Sequence, residues 1–243
     1  MMDKSKLAIA TISWARDAGE EQLLRESFAY LAALDIPVFI ADGGSGPDFI
    51  NFLQSLRHFT ILKPVGRGVW AQARKSVQAA QAAGAHFILY TEPDKRDFFR
   101  DYLPRFITEI STDKSTGIIL ASRSEKGFAT FPAFQRTTET TINQCCAEII
   151  GKPVDYTYGP FLLNSKLVPY FNLLPEDIGW GWRPFAFGLA HRLQYSVTPV
   201  TEDFSCPVEQ RADSPTERIY RMRQLSQNVQ GLVLSTTVAL AQV

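Results

Sequence analysis

The sequence lacks several features that would assign it to common classes of protein. Its three cysteines, two of them adjacent, do not form a disulfide framework, which favours a reducing compartment. Lys and Arg together number 25, as do Asp and Glu, so there is no excess positive charge to attract nucleic acid. No apolar run reaches the roughly 18 residues that span a bilayer, and no signal-type segment begins the sequence. We therefore expect a cytoplasmic protein without nucleic-acid partners or a transmembrane segment, while peripheral contact with a membrane stays open.

Two common nucleotide-binding motifs are also missing. No Gly-x-Gly-x-x-Gly follows the first predicted strand, and the sequence contains no Gly-Lys-Ser/Thr phosphate loop. These absences argue against a dinucleotide-dependent dehydrogenase and against a P-loop enzyme.

The sequence does contain short apolar runs that alternate with longer segments of helical period. Its 243 residues, 45% of them hydrophobic, suffice for one sizeable core. Strands are predicted at residues 7–12, 36–41, 59–62, 86–90, 117–121, 158–163 and 194–200. Helices are predicted at residues 19–33, 47–56, 68–82, 98–110, 138–150, 182–193 and 216–229. This alternation predicts an α/β fold, a mostly parallel central sheet flanked by helices, in a single domain over residues 1–243.

Acidic side chains follow two of the predicted inner strands. Ligands of such sheets bind beyond the carboxyl ends of the strands. Glu92 and Asp94 follow the fourth strand and have the oxygen donors that a hard divalent cation prefers, although a solvated turn is the simpler alternative. Asp42 opens a Gly-rich turn after the second strand, where it either binds a nucleoside or only shapes the turn.

The second half of the sequence offers a candidate base, an aromatic wall and several cations. Glu176 and Asp177 precede a Gly-Trp-Gly-Trp run, in which Trp180 either stacks on a sugar ring or packs in the core. Cations that would hold a diphosphate are Arg74 near the start of the third helix and the late Arg221 and Arg223, for which a solvated basic face is the alternative.

In this order, the segments resemble the nucleotide-diphospho-sugar transferases of GT-A fold, most closely the family 2 glycosyltransferases. The similarity covers about residues 6 to 200. The stretch 36–45 resembles the strand and Asp-Gly-Ser turn that hold the nucleoside, and Glu92-Pro93-Asp94 lies where the family carries Asp-x-Asp. Residues 118–123 are similar to the family strand that ends in Ser-Arg, which adds Arg123 to the donor-side residues.

The resemblance implies an enzyme that transfers a sugar from a nucleoside diphosphate to a hydroxyl acceptor, with inversion and with Mg or Mn at Glu92 and Asp94. It implies that Asp42 binds the nucleoside and Asp177 deprotonates the acceptor, with Glu176 in reserve. A nucleotide-binding half at about residues 1–124 and an acceptor half at about 125–243 would divide the domain.

Two alternatives remain at this stage. A noncatalytic nucleotide- or sugar-binding protein would keep the fold, and the Glu that replaces the first Asp of the motif keeps that alternative open. A sugar-nucleotide nucleotidyltransferase would need a Gly-rich loop after the first strand, whereas residues 11–15 contain no glycine. The base, the sugar, the acceptor (a glycan, a lipid or a small metabolite) and the oligomeric state are not specified by the sequence.

Overall fold

The computed structural model of the chain describes residues 4–240. These residues divide into two compact units. The first unit runs to Lys114 and includes Pro160–Val168, and the second comprises Ser115–Gly159 and the chain from Pro169 onward. The single domain over residues 1–243, with a nucleotide-binding half before about residue 124 and an acceptor half after it, stays a prediction.

Across the described residues the structure has seven strands and eight α-helices. The strands are β1 (Leu7–Ser13), β2 (Val38–Asp42), β3 (Phe59–Leu62), β4 (Phe87–Thr91), β5 (Thr116–Arg123), β6 (Phe161–Asn164) and β7 (Ser196–Glu202). The helices are α1 (Ala18–Ala32), α2 (Pro47–Ser55), α3 (Val69–Ala82), α4 (Leu103–Glu109), α5 (Glu125–Ala129), α6 (Ala133–Ile150), α7 (Trp182–Arg192) and α8 (Pro215–Thr237). The mostly parallel α/β architecture is therefore confirmed.

The first unit contains five strands in the order β3-β2-β1-β4-β6. β1 pairs in parallel with β2 and β4, and the antiparallel β6 lies beside β4. All seven residues of β1 are buried, as expected for an inner parallel strand covered on both faces by helices. The register places Ser13 opposite Asp42 and Thr11 opposite Thr91, so the carboxyl ends of β1, β2 and β4 lie at one edge.

Small residues bring α3 close to this sheet. Ala71, Ala73 and Ala80 are buried on the helix, together with Trp70 and Val77. Alanine favours the helix and leaves room for the strands to approach. This packing places the first turn of α3 beside the ends of β1 and β2.

The second unit combines the parallel pair β5–β7 with helices α5 to α8. Residues 182–190 of α7 are all buried, because the helix is covered around its whole circumference. Glycines allow α8 to lie very close to α7: a Cβ on Gly231 would overlap the carbonyl oxygen of Gly181, and one on Gly188 would overlap the Ser235 hydroxyl.

Several predicted boundaries differ from the structure. α6 begins at Ala133 and not at residue 138, since Pro132 is its N-cap, and α8 continues to Thr237. β6 begins at Phe161, three residues later than predicted. The five-residue helix α5 and a 3-10 segment over Ser165–Leu173 were not predicted at all. In the described part of the chain, no helix has the length and apolar character needed to cross a bilayer.

Candidate functional site

The carboxyl ends of β1 and β2 are joined by a hydrogen-bond network centred on Asp42. The Asp42 Oδ2 accepts hydrogen bonds from the hydroxyls of Ser13, at 2.7 Å, and Ser45, at 2.6 Å. Its Oδ1 accepts from the backbone N–H groups of Gly44 and Ser45, at 2.8 and 2.7 Å. A carboxylate has about four acceptor positions, so this one is fully used within the chain. The structure thus shows that Asp42 shapes the turn, and its contact with a nucleoside stays a prediction.

Gln72 of α3 reinforces the same edge. With its amide nitrogen turned toward the strands, the side chain donates to the carbonyl oxygens of Ser13 and Ala41, both at 3.1 Å. A Cβ on Gly43 would lie 2.9 Å from the other terminal atom of that amide and 3.3 Å from its carbon, so a side chain at position 43 would displace Gln72. Gly44 has φ +123, a conformation that also favours glycine. The turn after β2 is therefore held rigidly at the edge of the sheet.

Glu92 and Asp94 lie at the same edge, directly after β4. Glu92 is buried, with 9% of its surface exposed, and Asp94 is half-buried two residues later. β4 is fixed to β1 by the Thr11 hydroxyl, which donates to the carbonyl oxygen of Thr91 at 2.8 Å. The structure thus brings the predicted metal ligands and Asp42 to the two sides of the β1 terminus.

The chemistry of this acidic pair fits a magnesium or manganese ion that is shared with a phosphorylated ligand. Among the described residues, no group of three His, Cys, Asp or Glu side chains forms an all-protein metal site. Mg²⁺ is usually bound by one or two carboxylates together with substrate phosphates and water, and a pair of hard oxygen ligands is what such an arrangement needs.

Two further side chains contribute to this region of the first unit. Arg74, a predicted diphosphate ligand, is half-buried in α3, two residues after Gln72. Trp14 follows β1, has 52% of its surface exposed and lies 5.6 Å under the guanidinium of Arg16. If Gly43 had a Cβ, that atom would lie 3.3 Å from the Cβ of Trp14, so Trp14 lies beside the turn after β2.

The predicted base and aromatic wall lie in the second unit. Glu176 and Asp177 are exposed in a turn that precedes the 3-10 helix Gly179–Gly181. Trp180 has only 9% of its surface exposed, and its indole N–H donates to the Tyr220 hydroxyl at 2.9 Å. The indole therefore acts mainly as a packing group that joins this turn to α8, while both carboxylates face solvent.

The late arginines are spread around α8. Arg221 forms an ion pair with Glu217 at 2.9 Å and a hydrogen bond with Gln224 at 3.0 Å. Arg223 is exposed on a different side of the helix from Arg221, because side chains two positions apart in a helix point in directions that differ by about 200°. Of the two, Arg223 is the one whose charge faces solvent.

Arg123 occupies a buried ionic cluster instead of an open phosphate site. Its side chain is 1% exposed and forms ion pairs with Asp155 at 2.6 Å and with Glu139 at 2.7 Å. It also donates to the Thr157 hydroxyl at 2.7 Å, and Phe131 lies over the guanidinium at 4.3 Å. Two carboxylates of the chain therefore compensate the Arg123 charge, and its place among the donor-side residues stays a prediction.

The buried cluster shifts the pKa values of its members. Burial alone would raise the pKa of Asp155, but the positive charge and hydrogen bonds of Arg123 hold it well below its ordinary value of 3.8. Burial likewise opposes the Arg123 charge, and Glu139 and Asp155 overcome it, so the pKa of Arg123 lies above its ordinary value. Arg123 and Asp155 therefore both remain charged at neutral pH.

Sequence reasoning missed the supporting residues of both regions. Ser13, Ser45 and Gln72 act through hydrogen bonds that depend on which strands are neighbours, and Asp155 meets Arg123 from 32 positions away. The position of Trp14 in the sequence could have indicated a residue near the site, since it closely follows the end of the first predicted strand.

Comparison with known proteins gives structural matches only. No protein-family model and no curated protein matches the chain. Glucosyl-3-phosphoglycerate synthase from Mycobacterium tuberculosis, solved with Mn²⁺, UDP and phosphoglyceric acid, is 14% identical with a TM-score of 0.63, covering 99% of this chain and 82% of that one. The same enzyme with Mn²⁺, UDP-glucose and phosphoglyceric acid gives 13% identity and a TM-score of 0.65, covering 99% and 83%.

A further match is described only as a mycobacterial protein. It is 16% identical, has a TM-score of 0.66, and covers 99% of this chain and 78% of that one. The chain has the GT-A fold. The structural similarity establishes the fold. It does not establish the reaction, because the sequence identities are low and one fold hosts many reactions. The chemistry of this chain therefore depends on its own site residues.

Proposed function

We propose that the chain is a glycosyltransferase that moves a sugar from a nucleoside diphosphate to a hydroxyl acceptor. The observation that carries the proposal is the placement of Glu92 and Asp94 at the same strand edge as the Asp42 turn. The synthase of similar fold is described with Mn²⁺ and UDP-glucose, a ligand pair that suits two carboxylates beside a rigid backbone turn.

In this proposal the first unit binds the donor. The Gly43–Gly44 turn presents backbone to the nucleoside, Trp14 offers an exposed indole face, and Arg74 faces the diphosphate. Asp42 acts as a positioning residue, because its carboxylate holds the turn through four hydrogen bonds. Holding the turn in advance reduces the ordering cost of ligand binding.

Glu92 and Asp94 would hold Mg²⁺ or Mn²⁺ against the donor. When bound, the cation neutralises the charge that develops on the nucleoside diphosphate as it leaves. The burial of Glu92 limits the water around its carboxylate, which strengthens its attraction to a cation.

The second unit would supply the acceptor-side chemistry. Asp177 is the proposed base, with Glu176 in reserve, and it takes the proton of the attacking hydroxyl. The hydroxyl oxygen forms a bond to the sugar carbon as the bond to the nucleoside diphosphate breaks, and this single displacement inverts the carbon. Arg223 is the better candidate of the late arginines for a phosphate, since Arg221 is paired with Glu217. The acceptor would be a glycan, a lipid or a small metabolite in the cytoplasm, where three free cysteines are stable.

Hydrolysis of UDP-glucose and other nucleoside diphosphate sugars by the purified protein, with added Mn²⁺, tests this proposal. We expect Glu92→Gln and Asp94→Asn each to reduce kcat/KM at least about 100-fold, because each removes charge from the cation site. The matched control is Asp97→Asn, which changes a nearby half-exposed carboxylate that is paired with Arg96 and Arg100.

The outcomes separate the proposal from the noncatalytic alternative. Unchanged turnover in both variants would overturn the metal assignment. Mn²⁺-dependent UDP binding without any donor hydrolysis or transfer would favour a binding protein of the same fold.

A further inference from the structure

An open pocket lies wholly within the second unit, at the carboxyl end of β5. Its volume is about 400 Å³, and it lies between α5, one face of α6, the loop 153–155 and the end of β7. Small-molecule sites in proteins span about 300–1,000 Å³, so the space suits a ligand of one or two rings. Arg123, a predicted donor-side residue, lines it, whereas the residues to which the proposed function gives a role do not.

One wall of this pocket is neutral and polar. Thr140, Asn143, Gln144 and Ala147 line it from α6, and their spacing of three and four residues places them on one helix face. Asn143 donates to Asp155 at 3.0 Å and accepts from the Tyr156 N–H at 2.8 Å. Its amide retains one further N–H and one acceptor position. Hydroxyl and amide groups of this kind bind ligand hydroxyls.

Apolar side chains also line the pocket. They are the Phe128 ring, Pro153 and Val154. The Arg123 guanidinium lies over the Phe128 ring at 4.6 Å. Aromatic and aliphatic groups together with hydroxyl and amide groups match a sugar ring, which has apolar C–H faces and a rim of hydroxyls.

The charges that line the pocket disfavour an anionic ligand. Arg123 supplies the single positive charge among the described lining residues, and Asp155 and Glu139 already compensate it. Glu125 adds a negative charge to the lining. A phosphate or carboxylate in this pocket would lose its hydration without gaining a free cation.

We propose that this pocket binds an uncharged sugar and discriminates against phosphorylated compounds. The inference goes beyond the proposed transfer reaction and does not require it. The bound sugar is either an acceptor or a ligand that is not chemically changed, and the two cases share the same recognition chemistry.

Saturation-transfer difference NMR on the full chain tests this binding directly. The probes are glucose, galactose, mannose, maltose and trehalose, with glucose 6-phosphate and glycerol 3-phosphate as the charged set. We expect at least one neutral sugar to bind, with at least about tenfold lower affinity for its phosphorylated counterpart.

Two variants link the signal to the pocket. Ala147→Phe fills the space, and Gln144→Leu removes an amide while keeping a similar volume, so each should weaken binding at least about tenfold. Thr141→Phe is the matched control, because Thr141 is exposed on α6 and does not line the pocket. Circular dichroism verifies that each variant is folded.

The results distinguish this inference from the proposed function. Absence of binding by every neutral sugar, preferred binding of the phosphorylated probes, or full binding by Ala147→Phe would each overturn the inference. UDP binding by Ala147→Phe should equal that of the parent chain. If the bound sugar is an acceptor, the Ala147→Phe variant no longer transfers a sugar to it but still hydrolyses the donor. If the bound sugar is not an acceptor, the unmodified chain does not transfer a sugar to it either.

Discussion

At the scale of single residues, hydrogen-bond partners show which carboxylates shape the protein. The oxygens of Asp42 and Asp155 accept hydrogen bonds from donors of the chain. Residue type alone does not indicate this role, because an aspartate after a strand is compatible both with shaping a turn and with binding a ligand. The role follows from neighbouring hydrogen-bond donors, which the fold brings together.

The buried ionic cluster gives a prediction about stability. Arg123→Leu leaves Glu139 and Asp155 buried without their cation, so we expect a loss of roughly 3–5 kcal/mol in the free energy of unfolding. Urea denaturation followed by circular dichroism measures it. Arg57→Leu is the control: its pair with Asp35 spans 3.8 Å with both side chains more than 70% exposed, and such pairs contribute at most about 1 kcal/mol. Equal effects of the two variants would contradict the structural role of Arg123.

At the scale of helices and strands, the sequence was most informative where hydrophobic period and end signals agreed. Pro47 begins α2, and Gly84 and Gly151 adopt positive φ just after α3 and α6, as their positions in the sequence indicate. Prediction failed for α5, which has five residues and no room for a periodic pattern. It also ended α8 too early, since the close packing of α8 against α7 depends on residues distant in sequence.

The contact between α7 and α8 supports a prediction at this scale. Gly231→Ala places a methyl group into the carbonyl of Gly181, so the helices must separate or the backbone must bend. Overpacking of this kind costs typically about 1–3 kcal/mol. Gln230→Ala, at the exposed neighbouring position on α8, should change stability by less than about 0.5 kcal/mol. Thermal and urea unfolding of both variants test this, and an unchanged Gly231→Ala protein would show that the two helices are not held at close approach.

At the scale of the whole molecule, the order of strands and helices was the basis of the fold prediction. The pairing of the strands determines which loops lie together at the candidate site. Order along the chain identifies which loops follow strands, and parallel pairing places those loops at one edge. The sequence did not indicate that Arg123 would be buried, because Asp155 and Glu139 reach it from distant segments of the chain. Composition specified no ligand, since opposite charges balance across the chain.

A donor complex should stabilise the whole chain in a concentration-dependent manner. A ligand at 100 times its dissociation constant that binds only the folded state adds about 2.7 kcal/mol, which for a chain of this length raises Tm by roughly 5–10 °C. We expect this shift for one of UDP, GDP, CDP or dTDP together with Mn²⁺, because Glu92 and Asp94 need the cation to approach a diphosphate. Each nucleotide with EDTA, and Mn²⁺ alone, should give a much smaller shift. Differential scanning fluorimetry measures all of these, and a flat response to every nucleotide at millimolar concentration would contradict a nucleoside diphosphate site in the first unit.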